Sequence, residues 1–354
     1  MKGLILSGGR GTRLRPLTHT RAKQLVPIAN KANIDYVVED IVRAGVTDIG
    51  VVISPETGAE VQAFLGDGSR FKCQLTYILQ DQPAGLAHAV KIARGFLSDQ
   101  PFVMYLGDNL LDGGIGHMLE VFNRGESEAC ILLTRVPNPS SFGVAVRDAD
   151  GRITRLVEKP KEFISDLALV GVYVFAPVIH QIIEELKPSP RGELEITEAI
   201  QGLVTRGLRV HAEEVRGYWK DTGNAKDLLD ANRLVLSRIA HDVQGTVEDS
   251  ELVGEIQIAV GAIVRRSRLR GTISIAAGAI IEDSYIGPYS SIGQNASVKR
   301  AELEYSILMP GARLEGIARR VDSSILGEDV SVIGEAERRN TVQFILGDRS
   351  EVKL

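Results

Sequence analysis

Three glycines follow the first apolar run of the chain and begin a segment rich in basic residues. Gly8, Gly9 and Gly11 come soon after the apolar run Gly3–Leu6. Because glycine has no side chain, the backbone N–H groups of such a loop can point inward and bind phosphate oxygens. The cations in or after the loop, with no acidic residue among them, are Arg10, Arg13, Arg15, Arg21 and Lys23. These residue types predict a site for a polyphosphate whose charge must be neutralised.

Two common phosphate-binding motifs do not fit this loop. The P-loop requires Gly-Lys followed by Ser or Thr, and no such tripeptide follows these glycines. The dinucleotide fingerprint requires Gly-x-Gly-x-x-Gly at the start of a helix, whereas Pro16 disfavours a helix directly after Gly11. On these residues alone, a plain strand-to-loop turn with a basic surface patch stays open as the alternative.

Composition limits the class of protein. The 354 residues carry a formal net charge of -5, so no basic excess is available for general nucleic-acid binding. Cys73 and Cys130 lie in apolar runs and are predicted to be buried free thiols of a reducing compartment. The first residues do not resemble a signal peptide, and no apolar stretch approaches the length of a membrane span. We therefore expect a cytoplasmic protein that binds neither nucleic acid nor a membrane.

The first two thirds of the chain alternate between strand and helix patterns. Predicted strands lie at Ile49–Ile53, Leu75–Leu79, Phe102–Leu106, Cys130–Val136 and Leu167–Phe175, with a hairpin over Val144–Val157. Predicted helices cover 33–44, Gly85–Leu97, 178–186, 195–206 and Asn224–Ala240. This alternation predicts a layered α/β domain with a mostly parallel sheet over residues 1–240, whose ligands bind at the carboxyl ends of the strands.

The pattern changes in the last third, predicted as a second domain over 241–354. Apolar residues recur about every six positions, with glycines between them, at Ile275, Ile281, Ile286, Ile292 and Val298. The repeat predicts a parallel β-helix, in which each coil stacks its apolar face on the next, and an irregular antiparallel sandwich is the alternative. The segment Arg265–Gly271 is predicted to be an insertion, and the polar segment 335–354 is predicted to cap the coils.

Further polar residues follow predicted strands and could serve the same ligand. Gln80 offers an amide donor and acceptor that match the edge of a pyrimidine. Asp108 and Asp221 are carboxylates of the kind that Mg²⁺ prefers. Glu158 beside Lys159 combines an acceptor for sugar hydroxyls with a cation for a sugar phosphate. Each also has an ordinary structural explanation as a turn cap, a strand-end residue or a surface ion pair.

Together, these motifs resemble those of the sugar nucleotidyltransferases, and most closely the long-form glucose-1-phosphate thymidylyltransferases. In family order they are Gly8-Gly9-Arg10-Gly11-Thr12-Arg13-Leu14, Lys23-Gln24-Leu25-Val26-Pro27, Gln80 with Gly85-Leu86-Ala87, Gly107-Asp108-Asn109, Glu158-Lys159-Pro160, Arg191–Thr197 and Trp219-x-Asp221-Thr222-Gly223. The resemblance implies a Rossmann-like catalytic domain followed by a left-handed β-helix.

The resemblance also implies an activity and a set of site residues. The reaction is Mg²⁺-dependent transfer from dTTP to glucose 1-phosphate, giving dTDP-glucose and pyrophosphate for activated deoxysugar synthesis, in a homo-oligomeric enzyme. The implied catalytic residues are Arg13, Lys23 and Lys159, and the implied metal ligands are Asp108 and Asp221. The implied nucleotide-binding residues are Gly8, Gly9, Gly11, Thr12, Gln80, Pro83 and Gly85. The implied sugar-phosphate residues are Gly143, Glu158, Lys159, Val170 and Arg191, whereas Arg10, Arg15 and Arg21 receive no role.

Three other functions remain as alternatives. A relative that uses UTP or GTP would share the same loop, although Gly85-Leu86-Ala87 resembles the thymidylyl branch. A bifunctional enzyme whose β-helix transfers acetyl groups would need a histidine base there, and no histidine follows His241. A catalytically silent homologue that binds nucleotide-sugars would be expected to lack charged residues such as Arg13 and Asp108, which this chain has.

Overall fold

The computed structural model describes residues 1–9, 11–334 and 350–352 of the chain. It divides into two compact units, one of Met1–Arg10 with Asn33–Asp221 and one of Gly11–Ala32 with Thr222–Leu354. The predicted domain boundary at residues 240 and 241 stays a prediction. The predicted cap over 335–354 lies outside the described residues except for 350–352, and Arg10 lies outside them as well.

The elements before the β-helix are numbered in chain order. The strands are β1 (Lys2–Ser7), β2 (Pro27–Ile28), β3 (Lys31–Ala32), β4 (Asp48–Ile53), β5 (Gln74–Leu79), β6 (Phe102–Leu106), β7 (Asn109–Leu111), β8 (Ala129–Arg135), β9 (Gly143–Arg147), β10 (Ile153–Glu158), β11 (Leu167–Phe175), β12 (Val210–Glu214) and β13 (Trp219–Asp221). The helices are α1 (Asn33–Arg43), α2 (Gly58–Leu65), α3 (Leu86–Ile92), α4 (Arg94–Leu97), α5 (Gly116–Asn123), α6 (Ile179–Glu185), α7 (Ile196–Thr205) and α8 (Ala225–Leu236).

A central sheet organises the first unit. Its strands run in the order β10-β9-β11-β6-β1-β4-β5, and β8 pairs with β11 and β12. Strands β6, β1, β4 and β5 are parallel, whereas β11 runs antiparallel to β6. Because parallel strands end at the same edge of a sheet, the turns after β1, β5 and β6 lie along one edge. These turns carry Gly8, Gln80 and Asp108, which confirms the predicted α/β organisation.

Apolar residues at strand and helix spacing form the core of this unit. Every residue of β11 is buried, and the inward face of α1 presents Ile34, Val37, Val38 and Ile41 without exposed surface. The helix predicted over Gly85–Leu97 consists of α3 and α4, which meet at Ala93. The short strands β2, β3, β7 and β13 were not predicted, since two or three residues cannot show a period.

The second unit contains three sheets of short parallel strands. The first sheet is β14 (Asp242–Val243), β17 (Ile256–Ile258), β20 (Ile273–Ile275), β23 (Ser290–Ile292), β26 (Ile307–Leu308) and β29 (Ile325–Leu326). The second is β15 (Thr246–Glu248), β18 (Ile263–Arg265), β21 (Ile280–Glu282), β24 (Ser297–Lys299), β27 (Arg313–Glu315) and β30 (Ser331–Ile333). The third is β16 (Glu251–Val253), β19 (Arg268–Arg270), β22 (Tyr285–Ile286), β25 (Glu302–Glu304) and β28 (Val321–Asp322).

These sheets form the parallel β-helix that the hexads predict, and they are consistent with the left-handed form that the resemblance implies. Val264, Ile281 and Val298 stack in register within the second sheet and are fully buried. The predicted insertion at Arg265–Gly271 is wrong, because β18 and β19 pair in register with the coils on both sides. Exposed arginines at the outward positions of this segment interrupt the apolar repeat in the sequence, whereas Leu269 at the inward position is fully buried. Within the described part of the chain, no helix is long and apolar enough to cross a bilayer.

Asp40 is one of the buried carboxyl residues of the first unit. Asp40 on α1 accepts a hydrogen bond from the Tyr105 hydroxyl at 3.3 Å and one from Arg43 at 2.9 Å. Burial raises the pKa of Asp40 to about 6, although Arg43 and the Tyr105 hydrogen bond act to lower it. The native state therefore holds a proton at pH values at which the carboxyl of the unfolded chain has already lost it.

We expect Asp40→Asn to change the pH dependence of stability. A carboxyl with a raised native pKa destabilises the native state progressively as pH rises from its unfolded pKa of about 4 to its native pKa of about 6. The stability of the variant relative to the original should therefore increase by about 3 kcal/mol between pH 4 and pH 7 and be constant above that. Urea unfolding at a series of pH values measures this difference in the free energy of unfolding. Asp150→Asn, at an exposed turn, is the control. A pH-independent difference would contradict the expectation.

Candidate active site

The glycine turn after β1 lies against the amide of Gln80. A Cβ atom added at Gly8 would lie 3.1 Å from Gln80 Oε1, so the missing side chain permits this close approach. Gln80 Nε2 donates to the Gly85 carbonyl at 3.3 Å and lies 3.0 Å from His88 Nδ1. An amide nitrogen can only donate, so His88 Nδ1 accepts and the Gln80 amide has a defined orientation. The structure therefore brings Gly8, Gln80 and Gly85 together as one group.

Gly85 fixes the loop that follows Gln80. Its φ of 102° is rarely adopted by other residues, and a Cβ atom there would lie 2.4 Å from the Leu194 carbonyl oxygen. The Leu194 carbonyl accepts from Ala87 N–H at 3.0 Å, and Leu194 N–H donates to the Ala84 carbonyl at 2.8 Å. Two motifs that are distant in sequence are thus bound backbone to backbone. Pro83 lies exposed in the same loop.

The two predicted metal ligands lie at the paired strands β7 and β13, with Asp108 directly before β7 and Asp221 at the end of β13. Asp108 follows β6 and is buried, and Asn109 begins β7. Strand β7 pairs antiparallel with β13, and the register places Asp221 opposite Asn109. Asn109 Nδ2 donates to Asp108 Oδ1 at 3.2 Å, while Asn109 Oδ1 accepts from the Trp219 indole. Trp219 therefore orients the amide that contacts Asp108.

These two carboxylates suit a hard divalent cation. Mg²⁺ is commonly bound by one or two protein carboxylates, with substrate phosphates and waters supplying its other ligands. Asp108 and Asp221 are donors of that kind. In residues 1–9, 11–334 and 350–352, no group of three or more His, Cys, Asp or Glu side chains is arranged to hold a metal ion.

A second cluster forms where β9 pairs with β10. Gly143 and Glu158 are opposite each other in this pair. Glu158 Oε2 accepts from the Thr197 hydroxyl at 2.6 Å, and a Cβ atom at Gly143 would lie 2.5 Å from that hydroxyl oxygen. The missing side chain of Gly143 thus makes room for the Glu158–Thr197 contact. Thr197 lies in a motif that the resemblance includes, but no role was predicted for it.

Carboxylates hold the cations of this cluster. Glu158 Oε1 lies 3.8 Å from Lys159 Nζ and 3.5 Å from Arg191 Nη1. Arg191 also contacts Glu193 through Nη2 and lies 3.6 Å from Glu195 Oε1 through Nε. Burial raises the pKa of Glu195, and the charge of Glu158 raises it further, against the lowering effects of Ser189 and Arg191. Three glutamates thus surround the two cations of this cluster.

Val170 also belongs to the predicted sugar-phosphate group. It lies in β11 where the register between β11 and β8 shifts, and it has no exposed surface. Its neighbour Gly171 packs closely on Leu106, because a Cβ atom there would lie 2.5 Å from a Leu106 side-chain carbon.

Gly9 lies exposed beside Gly8 in the first unit. The other predicted residues belong to the second unit, where the cationic segment folds back on itself. The Thr18 hydroxyl donates to the Gly11 carbonyl at 2.6 Å, and a Cβ atom at Gly11 would lie 3.0 Å from Lys23 Cβ. Thr12 and Arg13 are exposed on the 3₁₀ turn Thr12–Leu14. Lys23 begins a second 3₁₀ turn and is half-buried. Leu14 is buried, and it anchors the turn that presents Arg13.

Comparison with known protein families identifies the family of this chain. A model of the nucleotidyl transferase family, described as "Nucleotidyl transferase", matches residues 2–238, which is more than half of the chain. The chain belongs to the nucleotidyl transferase family. This nucleotidyl transferase is 48% identical over 356 residues to the glucose-1-phosphate thymidylyltransferase of Streptomyces antibioticus, covering 100% of this chain and 99% of that protein.

Two further relatives extend the comparison. The low-salt glycan biosynthesis nucleotidyltransferase Agl11 of Haloferax volcanii is 48% identical over 359 residues, with 100% of both chains covered. A solved structure of a proposed glucose-1-phosphate thymidylyltransferase from Bacillus anthracis, in complex with sucrose, is 36% identical with a TM-score of 0.63. It covers 69% of this nucleotidyl transferase and 97% of its own chain. The similarity to the first two relatives therefore includes the β-helix.

Gly85→Ala should destabilise the protein. The added Cβ would meet backbone atoms of Leu194, which cannot move aside cheaply, and the φ of 102° adds strain. We expect the free energy of unfolding to fall by at least about 2 kcal/mol, measured by urea denaturation. Gly95→Ala in α4 is the matched control, since nothing lies within 4 Å of its Cβ position. It should be neutral or stabilising by about 0.5–1 kcal/mol. Equal unfolding midpoints for the two variants would contradict the close approach at Gly85.

Proposed function

We propose that this nucleotidyl transferase converts dTTP and glucose 1-phosphate to dTDP-glucose and pyrophosphate. The observation that carries the proposal is the edge of the parallel sheet, where the turns after β1, β5 and β6 supply Gly8, Gln80 and Asp108. A glycine turn, an amide and a carboxylate suit the phosphates, base and metal ion of a nucleotide. The full-length similarity to the thymidylyltransferase of Streptomyces antibioticus supports these particular substrates.

The proposed chemistry needs little from the protein except charge and position. A phosphate oxygen of the sugar phosphate bonds to the α-phosphorus, and the bond from that phosphorus to the oxygen bridging to the β-phosphate breaks. Pyrophosphate leaves with that electron pair. The nucleophile is already an anion, so no general base is required. Repulsion between the two anions and the charge on the leaving group oppose the reaction, so catalysis is positioning and electrostatic stabilisation.

We assign the cations of the glycine-rich segment to the phosphates. Arg13 contacts the reacting phosphates and stabilises the transition state, and Lys23 neutralises the leaving pyrophosphate. The backbone amides at Gly8, Gly9 and Gly11, with Thr12, bind the nucleotide. The exposure of Arg13 on its 3₁₀ turn supports its assignment, because a guanidinium must be accessible to reach a substrate phosphate.

Gln80 is assigned to the base, and its orientation suggests which bases it accepts. Gly85 O and His88 Nδ1 occupy the two donor positions of Gln80 Nε2. The acceptor Oε1 is then the group available to the base, with Pro83 and Gly85 shaping the pocket. Thymine and uracil carry an N3–H that can donate to this acceptor, whereas N3 of cytosine is itself an acceptor. Because thymine and uracil share this donor, only the methyl group of thymine distinguishes the base of dTTP from that of UTP.

Asp108 and Asp221 are assigned to Mg²⁺. When bound, the ion would neutralise phosphate charge and so reduce the repulsion between the two substrates. Asn109 orients Asp108 by donating to its Oδ1, and Trp219 holds Asn109 in turn.

Lys159 and Arg191 are assigned to the sugar phosphate, with Glu158, Gly143 and Val170 on the sugar side. Arg191 lies between carboxylates of Glu158, Glu193 and Glu195 in this structure. A sugar phosphate must therefore compete with these acids, and we propose that Arg191 exchanges a carboxylate partner for the phosphate on binding.

Location and assembly complete the proposal. We place the enzyme in the cytoplasm, which the free thiols of Cys73 and Cys130 support. We propose a homo-oligomer, since the strand edges of the first β-helix coil, formed by β14, β15 and β16, are sites where another chain can pair.

A panel of dTTP, UTP, CTP and GTP with glucose 1-phosphate tests the substrate assignment through pyrophosphate release. We expect kcat/KM for dTTP to exceed that for UTP by about 10- to 100-fold, and that for CTP by at least about 10³-fold. Gln80→Ala should lower activity with dTTP and reduce its advantage over CTP. The matched control is Gln82→Ala, an exposed glutamine of the same loop that should leave both ratios unchanged. Preference for UTP would favour the alternative specificity, and nucleotide binding without pyrophosphate release would favour a silent homologue.

Arg13→Ala and Asp108→Asn test the catalytic assignment. Removing one charge contact made in the transition state should lower kcat by about 10²–10³-fold. Asp108→Asn should also raise the Mg²⁺ concentration needed for half-maximal rate, whereas Arg13→Ala should not. Arg155→Ala and Asp150→Asn, which change exposed residues outside the proposed site, are the controls. Near-normal turnover of both variants with Mg²⁺ present would overturn the mechanism.

A further inference from the structure

A tight hairpin ends the cationic segment 11–32 of the second unit. Strands β2 and β3 pair antiparallel, and the two residues between them, Ala29 and Asn30, have φ values of 48° and 65°. Asparagine tolerates this left-handed conformation, but alanine does so at a cost and needs support from its surroundings. That support is a hydrogen bond of 2.8 Å from Ala29 N–H to Asn232 Oδ1.

Asn232 links the hairpin to the β-helix. This residue lies on α8 and has no exposed surface. Its Oδ1 accepts from the Ser291 hydroxyl at 3.0 Å as well as from Ala29 N–H, and its Nδ2 donates to the Tyr289 carbonyl at 3.1 Å. Ser291 lies in β23, and Tyr289 directly precedes that strand. One buried amide therefore joins α8, the hairpin and one coil.

Two further contacts bind the same segment to other coils. Asn30 Nδ2 donates to both the carbonyl and the hydroxyl oxygen of Ser274 in β20, each at 3.0 Å. Arg21 forms an ion pair and hydrogen bond with Glu328, which follows β29. The segment is thus attached to three coils of the β-helix. Arg21, which the resemblance leaves without a role, makes one of these attachments.

We propose that the β-helix is a positioning element for nucleotidyl transfer, because it holds the segment that carries Arg13 and Lys23. Asn30, Asn232 and Arg21 are positioning residues that act through this segment. Electrostatic catalysis depends on holding charged groups within about half an ångström of their working positions, so loosening the attachments lowers the rate without removing any charge. The inference rests on the proposed function and gives the β-helix a role besides assembly.

Asn30→Gly is the decisive variant. Glycine adopts the φ of 65° readily, so the change removes the two hydrogen bonds to Ser274 while keeping the turn. Asn295→Gly is the matched control, since it replaces another asparagine of positive φ, at an exposed corner of the β-helix. In the full chain, we expect Asn30→Gly to speed amide hydrogen exchange of residues 11–32 about 10-fold and to lower kcat about 10-fold. Asn295→Gly should change neither quantity.

A double-mutant cycle distinguishes positioning from general destabilisation. Ser274→Ala removes only the hydroxyl acceptor and should lower kcat less than Asn30→Gly does. The double variant should be no slower than Asn30→Gly alone, because both changes remove the same contact. Additive losses, exchange that increases throughout the chain, or equal behaviour of Asn30→Gly and Asn295→Gly would overturn the inference.

The exchange measurement separates this inference from the proposed function. If the original protein released no pyrophosphate with any nucleotide of the panel, the proposed function would fail and the catalytic positioning would fail with it. If the protein is active and Asn30→Gly speeds exchange of residues 11–32 while kcat is unchanged, the positioning role alone is overturned.

Discussion

Parallel pairing of β1 with β4 and β6 is the constraint on which the rest of the first unit depends. Parallel strands end at one edge of the sheet, so each adds a turn to the same region. The turn after β1 carries glycines, and those after β5 and β6 carry an amide and a carboxylate. Strands β1, β4 and β6 are mostly buried, whereas only Leu75 is buried in the edge strand β5. Polar residues, Gln80 and Asp108, follow β5 and β6. The turns at this edge therefore carry polar groups, while buried apolar residues of β1, β4 and β6 contribute to the core.

Close backbone contacts complete this edge, because parallel strands alone do not fix the conformation of their turns. Gly85 approaches Leu194 so closely that a side chain could not be accommodated, and Gly143 makes room for the contact between Glu158 and Thr197. The pairing of β7 with β13 similarly brings Asp221 beside Asn109. In each case, one local backbone feature brings together residues that are distant in sequence.

The sequence was sufficient to predict the architecture, because long periodic segments such as α1 and β11 signal their own structure. The short strands β7 and β13 could not be predicted, although the proximity of Asp221 to Asn109 depends on their register. The motifs identified Gln80 and Glu158, but their partners His88 and Thr197 became evident only from side-chain geometry. The segment Arg265–Gly271 was wrongly predicted to be an insertion, because its arginines interrupt the apolar pattern. A β-helix coil needs only its inward positions to be apolar.

The carboxylates around Arg191 would limit how tightly the proposed site holds a phosphate. Arg191 is held by carboxylates, so its guanidinium stays oriented in the absence of a phosphate. A guanidinium without such partners would bind a phosphate more tightly, but tight binding of substrate and transition state alike does not raise kcat. Burial and the neighbouring Glu158 raise the pKa of Glu195, so its ionised form is disfavoured at this position. A phosphate bound by Arg191, as proposed, would add negative charge beside these acids, and the repulsion would weaken the binding of substrate and product alike.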